Sequence, residues 1–148
     1  MASNIKIAVD AMGGDNSPKK IIDGILVNSK ENIDVIYNIF GDKDKIELLF
    51  PKNYNKEIFI VFDTKNKILD TDSPLSAAKK GKDTSMWMTI DSVKKNESHV
   101  AISAGNTGAL FVISKVNFKM MENIEQPALS ALWPNKRNFN VVLDLGAN

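Results

Sequence analysis

Short apolar blocks separated by polar stretches are the main pattern along this chain. Four of these blocks are compact and rich in β-branched residues, as expected for buried strands of a parallel sheet: residues 5–10, 34–40, 58–62 and 100–103. Two further blocks of the same character, 128–132 and 141–145, predict the last strands. Because parallel strands need crossover connections, this series predicts an α/β fold with helices on both faces of a mainly parallel sheet.

Helical spacing fills the intervals between these strands. The first helix is predicted to start with Ser17 as its N-cap and Pro18 at the first helical position. Its apolar stripe comprises Ile21, Ile22, Ile25 and Leu26. Capping residues predict further helices that start near residues 42, 73, 84 and 106. In the last of them we expect a stripe through Leu110, Ile113 and Val116.

Three strands end in clusters of glycine, asparagine and carboxylate: IAVDAMGGDNSP at 7–18, AISAGNTGAL at 101–110 and VVLDLGAN at 141–148. Small residues let a ligand approach the backbone, and the carboxyl ends of parallel strands share one edge of a sheet. These turns therefore predict a single binding crevice. The sequence stops inside the third motif, where strand and loop groups would lack onward partners, so we expect a truncated chain.

Composition restricts the chemistry that this crevice can perform. With 148 residues and 43% hydrophobic content, the chain is expected to form one domain over 1–148. A net charge of +1 argues against a nucleic-acid binder. With no cysteine and one histidine, no metal centre is predicted. The sequence has neither a signal-peptide pattern nor an apolar run of membrane-spanning length, so we predict a cytoplasmic protein.

The first glycine turn, residues 10–17, carries one set of candidate site residues. Gly13 and Gly14 can adopt positive φ and expose amide groups. The side chains of Asp10, Asp15 and Asn16 supply oxygens able to orient a lysine, a hydroxyl group or a metal ion. The alternative is a tight turn whose carboxylate and amide side chains only cap the next helix.

The second glycine turn, residues 103–108, leads directly into a predicted helix. Ser103, Gly105, Asn106, Thr107 and Gly108 bring small polar side chains and free amides to the positive end of the helix dipole. This arrangement predicts an anion site, and the alternative is a capped helix start.

Two rival enzyme classes fit the turns less well. A dinucleotide site is disfavoured because the glycines do not follow the GxGxxG spacing. The segment from Ala101 to Gly105 resembles the nucleophile elbow of a serine hydrolase. However, the sole histidine, His99, precedes Ser103 on the same strand by roughly 13 Å, beyond hydrogen-bond reach.

Lys79, Lys80 and Lys82 form the densest basic cluster. Lysines are common near a helix C-terminus, where they interact favourably with the helix dipole. Without further information, the cluster is therefore interpreted as a solvated helix end. The functional alternative is a docking patch for an acidic partner or a phosphate ligand.

The strings IAVDAMGGDNSP, DSPLSAAKKGKDTSM, ISAGNTGAL, QPALSALWP and LDLGAN, in this order, closely resemble the N-terminal half of bacterial phosphate acyltransferases. These are the acyl-acyl-carrier-protein:phosphate acyltransferases of phospholipid synthesis. The resemblance covers essentially the whole chain. It implies a Rossmann-like three-layer α/β/α fold, akin to isocitrate and isopropylmalate dehydrogenases, with the C-terminal half of the family fold absent.

In the implied reaction, inorganic phosphate attacks the thioester of a fatty acyl chain held by acyl carrier protein, and no cofactor is needed. On this basis we expect the residues Ser103, Gly105, Asn106, Thr107 and Gly108 to hold phosphate or the developing oxyanion. Gly13 and Gly14 would let the substrate lie against the backbone. The remaining expected site residues supply and orient countercharge or close the crevice: Asp10, Asp15, Asn16, Lys82 and Asn148.

The resemblance also implies partners. Acyl carrier protein is acidic, so Lys79 and Lys80 become candidates for its docking. A homodimer is expected, together with peripheral association at the inner face of the membrane, where the downstream glycerol-phosphate acyltransferase acts. Two alternatives stay open. The chain is a noncatalytic fragment or carrier-binding module, or it is a phosphotransacetylase-like enzyme that uses acyl coenzyme A.

Overall fold

The computed structural model describes residues 4–143, in which four parallel strands form the main sheet. The strands are β1 (Ile5–Asp10), β2 (Val35–Gly41), β3 (Phe59–Asp63) and β4 (Val100–Ser103), in the order β3-β2-β1-β4. The helices are α1 (Lys19–Glu31), α2 (Lys43–Glu47), α3 (Pro74–Lys79), α4 (Ser85–Lys94) and α5 (Thr107–Asn117). The predicted α/β class and its four parallel strands are confirmed.

Side chains alternate between the two faces of this sheet, and helices cover both faces along β1 and β2. One face packs against α1 and α2 in a core that includes Val9, Ile22, Ile25, Ile39, Ile46 and Phe59. On the opposite face, α4 contacts β1, β2 and β4. A second core joins α4 to α3 and α5 through Ala77, Met86, Trp87, Ile90, Ala109 and Ile113. The result is a three-layer α/β/α arrangement.

The start of α1 differs from the prediction. Pro18 occupies the N-cap position, the helix begins at Lys19, and no side chain caps it. Instead of accepting from a helix amide, the Ser17 hydroxyl donates to the carbonyl oxygens of Met12 and Gly14, at 2.9 and 2.8 Å. Ser17 therefore closes the first glycine turn, and its assignment as a helix cap is wrong.

Other predicted helix caps are confirmed. The Asp42 side chain accepts from the Lys45 amide at the start of α2, and Ser73 accepts from the Ser76 amide at the start of α3. Thr84 occupies the N-cap of α4 without capping it through its side chain. The predicted stripe of α5 is correct for buried Ile113 and wrong for Val116, which is 61% exposed.

The last two strands do not join the main sheet. β5 (Ser130–Pro134) and β6 (Phe139–Leu143) pair as a separate antiparallel hairpin. Their existence agrees with the sequence, but their assignment to a mainly parallel sheet is wrong, because a connection of four residues between them is too short for a crossover. Much of the hairpin's apolar surface is exposed, including Leu132, Trp133, Phe139, Val141 and Leu143. The third predicted turn, 144–148, lies outside the described residues.

Candidate functional site

The carboxyl ends of β1 and β4 lie side by side, with Asp10 and Ser103 as register neighbours. The Ser103 hydroxyl donates to Asp10 Oδ2 at 2.7 Å, and the Met12 amide donates to Asp10 Oδ1 at 3.1 Å. The Gly105 amide in turn donates to Ser103 Oγ at 3.2 Å. Asp10 is only 1% exposed, so this hydrogen-bonded chain holds a buried carboxylate between the two glycine turns.

Backbone contact brings the same two turns together. A Cβ atom added to Gly13 would lie 2.7 Å from the Gly105 nitrogen and 2.7 Å from Asp10 Oδ2. Gly14 has a φ of +80°, and a Cβ atom there would lie 2.6 Å from the Ala104 carbonyl oxygen. Only glycine permits this approach. The structure therefore brings together two of the three predicted turns at one edge of the sheet.

The remaining polar residues of the first glycine turn lie further out. Asp15 and Asn16 are both exposed. Asn16 has a φ of 58°, and its carbonyl oxygen accepts from the Lys20 amide at 3.1 Å as the chain enters α1. Their side chains therefore lie at the solvent side of the site, whereas the Asp10 carboxylate is in its interior.

Asn106 uses both polar atoms of its side chain within the protein. Its Oδ1 accepts from the Ala109 amide at 2.9 Å and caps α5. Its Nδ2 donates to the carbonyl oxygens of Asp70 and Asp72 at 3.1 and 2.9 Å, with a longer contact of 3.5 Å to that of Leu69. The side chain thus ties the loop before α3 to the start of α5.

The amide groups of Thr107 and Gly108 belong to the first turn of α5, where N–H groups have no partner within the helix. Thr107 is exposed and Gly108 is partly buried. A Cβ atom on Gly108 would lie 2.7 Å from Pro74 Cγ, so α3 packs directly against this helix start. The site's polar backbone is therefore bordered by an apolar wall.

The lysine cluster divides between two environments. Lys79 is exposed, whereas Lys80 Nζ is 2.5 Å from Asp72 Oδ2. Lys82 lines an open groove of about 630 Å³ with Phe40, Phe62 and residues of α4. No residue of the two glycine turns lines this groove, so the groove does not join Lys82 to them.

The hydrogen bond from Lys80 holds the pKa of Asp72 below its usual range, and a bond from the Leu69 amide acts in the same direction. The unfolded carboxyl has a pKa near 3.9. Ionised Asp72 therefore stabilises the fold above about pH 4, and this contribution is lost as the pH falls through the lower folded-state pKa.

We expect Asp72→Asn to remove the contribution of Asp72 to the pH dependence of the unfolding free energy. The difference in unfolding free energy between wild type and the variant should be largest near neutral pH and should shrink below about pH 4. Urea unfolding at a series of pH values measures it, with Asp70→Asn, at an exposed neighbouring position, as the matched control. A difference that stays constant with pH would contradict the assignment.

Sequence reasoning missed the part of the site that lies before α3. The carbonyl oxygens of 69–72 and the Pro74 ring carry no motif of their own, and only the Asp72-Ser73-Pro74 helix start marks this segment. Met86 was also missed as a site neighbour. A Cβ atom on Gly105 would lie 3.0 Å from its Cε atom.

Within residues 4–143, no group of three or more histidine and carboxylate side chains is arranged to hold a metal ion. None of the helices described there is both long and apolar enough to cross a membrane.

A parallel α/β/α sheet with contacting glycine turns at its carboxyl edge places the protein in the class of α/β proteins whose ligand sites lie at strand ends. Comparison with known families is more specific, since residues 5–148 match the family model described as "Fatty acid synthesis protein". The chain belongs to this family.

Curated relatives of the chain are named as enzymes. The phosphate acyltransferase of Pelagibacter ubique (strain HTCC1062) is 61% identical over 100% of this chain and 44% of its own length. The phosphate acyltransferase of Parvibaculum lavamentivorans is 42% identical over 99% of the chain and 41% of its own length. The phosphate acyltransferase of Bradyrhizobium diazoefficiens is 40% identical over 99% of the chain and 42% of its own length. The family is thus one of transferases, and the chain spans less than half the length of these relatives.

Proposed function

We propose that this chain acts in the transfer of a fatty acyl group from acyl carrier protein to inorganic phosphate, which yields acyl phosphate for phospholipid synthesis. The observation that carries the proposal is the contact between the two glycine turns, joined by the Ser103–Asp10 hydrogen bond. The similarity to proteins named phosphate acyltransferase supplies the reaction class.

The proposed reaction needs positioning more than acid–base catalysis. A phosphate oxygen bonds to the thioester carbonyl carbon, the carbon–sulfur bond breaks, and the carrier sulfur leaves and takes up a proton. Phosphate is substantially dianionic near neutral pH, and a thiol with a pKa of about 8.5 is a good leaving group. A site that holds phosphate and thioester in contact can therefore supply much of the rate enhancement.

The main-chain groups of the second glycine turn are suited to that task. In this proposal the Thr107 and Gly108 amides bind phosphate or the oxyanion, and the dipole of α5 adds to the attraction. Ser103 and Asn106 act as positioning residues through the bonds described above. Gly13 and Gly14 hold the first turn against the second, and the thioester is proposed to lie along the solvent side of the first turn.

Four further predicted residues take different places in this proposal. Asp15 and Asn16, at the exposed side of the first turn, are proposed to orient the incoming substrate. Lys82 is given no phosphate contact, because the groove that it lines contains no residue of the two glycine turns. A role for Asn148 in closing the crevice stays a prediction, since this residue lies outside the described part of the chain.

A basic surface near α3 is the proposed docking site for the acidic carrier. One shallow depression of about 400 Å³ is lined by Lys65, Lys67 and Lys80. Exposed Lys79 directly precedes Lys80 at the end of α3. Complementary charge steers association more than it adds affinity. A homodimer and peripheral membrane association with the downstream acyltransferase remain proposals that come from the resemblance, and a cytoplasmic location remains a proposal that comes from the sequence patterns.

The direct test is incubation of the purified chain with acyl-carrier-protein thioester and inorganic phosphate. We expect equal amounts of free thiol and acyl phosphate, both dependent on phosphate. Acyl coenzyme A in a parallel reaction tests the phosphotransacetylase-like alternative. Carrier binding without thiol release would identify a noncatalytic carrier-binding module and would contradict the proposed transfer.

The same assay tests the docking surface through the KM for acyl carrier protein. Raising the salt concentration should increase the KM for the carrier, because exposed charges are screened. Lys79→Ala should have the same effect, whereas Lys94→Ala, at the end of α4, is the matched control. A KM insensitive to both salt and Lys79→Ala would remove this surface from the proposal.

A further inference from the structure

The helix layer on one face of the sheet ends before β4. Ile7 and Val9 of β1 and Val100 and Ile102 of β4 point to the same face, as their pairing shows. Helix α1 covers the β1 side of this face, but Val100 and Ile102 remain 43% and 50% exposed. An open groove of about 440 Å³ follows this step between α1 and β4, and we call it the α1–β4 groove.

The α1–β4 groove has apolar walls. Ile7, Val9 and Ile102 form its floor, and Ile21 and Ile25 form the wall contributed by α1. Gly24 lies between these two isoleucines, and a Cβ atom placed on it would have no neighbour within 4 Å. The glycine therefore leaves the middle of the groove open, although glycine inside a helix is unfavourable by about 1 kcal/mol relative to alanine.

The two ends of the groove are polar and differ in character. At the carboxyl edge of the sheet the groove reaches Lys20, Asp10 and Ala104. At the other end Asn28 Nδ2 donates to the Tyr37 hydroxyl at 2.6 Å, which places a polar pair at the end of the groove. The groove is about 10–12 Å long, because its lining residues span three residue steps along β1, from 7 to 10, and eight along α1, from 20 to 28.

The open end is continuous with the candidate site. Ala104 lines the groove and also touches the first glycine turn, since a Cβ atom on Gly14 would lie 2.6 Å from the Ala104 carbonyl oxygen. Asp10 is also a lining residue of the groove, although its side chain pairs with Ser103 on the opposite face of the sheet. A molecule with a polar head at the glycine turns and an apolar tail would therefore place its tail directly in the groove.

We propose that the α1–β4 groove binds the hydrocarbon chain of the fatty acyl substrate. The carbonyl end lies at Ala104, beside the first glycine turn, and the methyl end points toward Asn28 and Tyr37. This inference rests on the proposed function, because the substrate's acyl group defines the occupant. The groove's apolar floor, its contact with the first glycine turn and its polar far end together favour an alkyl chain of limited length over a polar ligand.

Fatty acid binding tests this groove without any catalytic step. The probe is cis-parinaric acid, whose fluorescence rises on entry into an apolar site, and unlabelled fatty acids of increasing length displace it from the purified chain. Each buried methylene should strengthen binding about fourfold. We expect this increment until the chain reaches the Asn28–Tyr37 end of the groove, beyond which added methylenes should give no further gain.

Gly24→Leu places a side chain in the middle of the groove and should weaken binding of the longer fatty acids at least about tenfold, the equivalent of two displaced methylenes. Val27→Leu is the matched control, because Val27 is on the same helix, 60% exposed and outside the groove. Ile102→Asp is a second variant, which adds charge to the floor and should have the same effect. Thermal unfolding of each variant verifies that the fold is retained.

Any of three results would contradict acyl-chain binding in the α1–β4 groove. The first is an absence of fatty acid binding, and the second is an affinity that does not depend on chain length. The third is equal fatty acid affinity in wild type, Gly24→Leu and Ile102→Asp. Displacement of the bound probe by a polypeptide but not by fatty acids would assign the groove to a protein segment instead. Fatty acid binding with no phosphate-dependent thiol release would refute the proposed transfer alone. Thiol release that Gly24→Leu leaves unchanged for all acyl lengths would refute the groove alone.

Discussion

Replacement of Gly13 by alanine is expected to lower the free energy of unfolding by about 1–3 kcal/mol, the range for overpacking a close-packed interior. The added Cβ atom would lie 2.7 Å from both the Gly105 nitrogen and Asp10 Oδ2. Neither atom can move easily, because one belongs to the backbone and the other accepts the Ser103 hydrogen bond. Urea unfolding measures the loss.

Gly24→Ala is the matched control for this substitution. It makes the same chemical change inside α1, where the new Cβ atom meets nothing within 4 Å. The free energy of unfolding should rise by up to about 1 kcal/mol, because alanine is the better helix former. For a domain of this size that corresponds to about 2–4 °C in Tm. Equal effects of the two substitutions would show that the glycine turns are not in the close contact described.

Replacement of Asn106 by alanine should reduce both stability and turnover. Loss of the cap on α5 should lower the free energy of unfolding by about 1 kcal/mol. The loop before α3 also loses its hydrogen bonds from Nδ2. Because this loop and the helix start border the proposed phosphate site, acyl phosphate formation should fall at least about tenfold.

Asn106→Ser separates the two roles of this side chain. Serine retains an oxygen able to cap α5 but cannot reach the loop carbonyls as the longer amide does. We expect it to recover most of the stability and little of the turnover. If Asn106→Ala lowers stability while turnover per folded molecule stays at the wild-type value, Asn106 has only a structural role.

Local patterns predicted the main sheet well. The compact blocks that became β1 to β4 are strongly apolar, and their helix connections leave only a parallel arrangement. Caps at Asp42, Ser73 and Asn106 were found because each residue's side chain can satisfy a helix amide only a few positions away. These interactions are local, so the sequence contains the whole signal.

The errors have different physical origins. Ser17 has the residue type of a cap, but the carbonyl oxygens of the glycine turn are its partners instead. Val116 follows the helical period, yet it is 61% exposed. For β5 and β6, the strand pattern is correct, and the length of the connection decided the pairing.

The sequence predicted which glycine turns form the candidate site, but it did not predict the side-chain contacts that join them. Glycine and asparagine at strand ends mark turns that approach a ligand or another backbone segment. The bond from Ser103 to Asp10 spans 93 positions, and those from Asn106 to the loop before α3 span 34 to 37. No local pattern specifies such pairs, since they depend on which strands become neighbours.

The position of β1 within the sheet also bears on the order in which the molecule assembles. β1, β2 and β3 follow one another in sequence, so their pairing closes comparatively short loops, whereas β4 must return to β1 across most of the chain. Longer loops lose more entropy on closure, and distant pairings form slowly. We therefore expect the junction of Asp10 with Ser103 to form late in folding, so that the candidate site is completed after β1, β2 and β3 have paired.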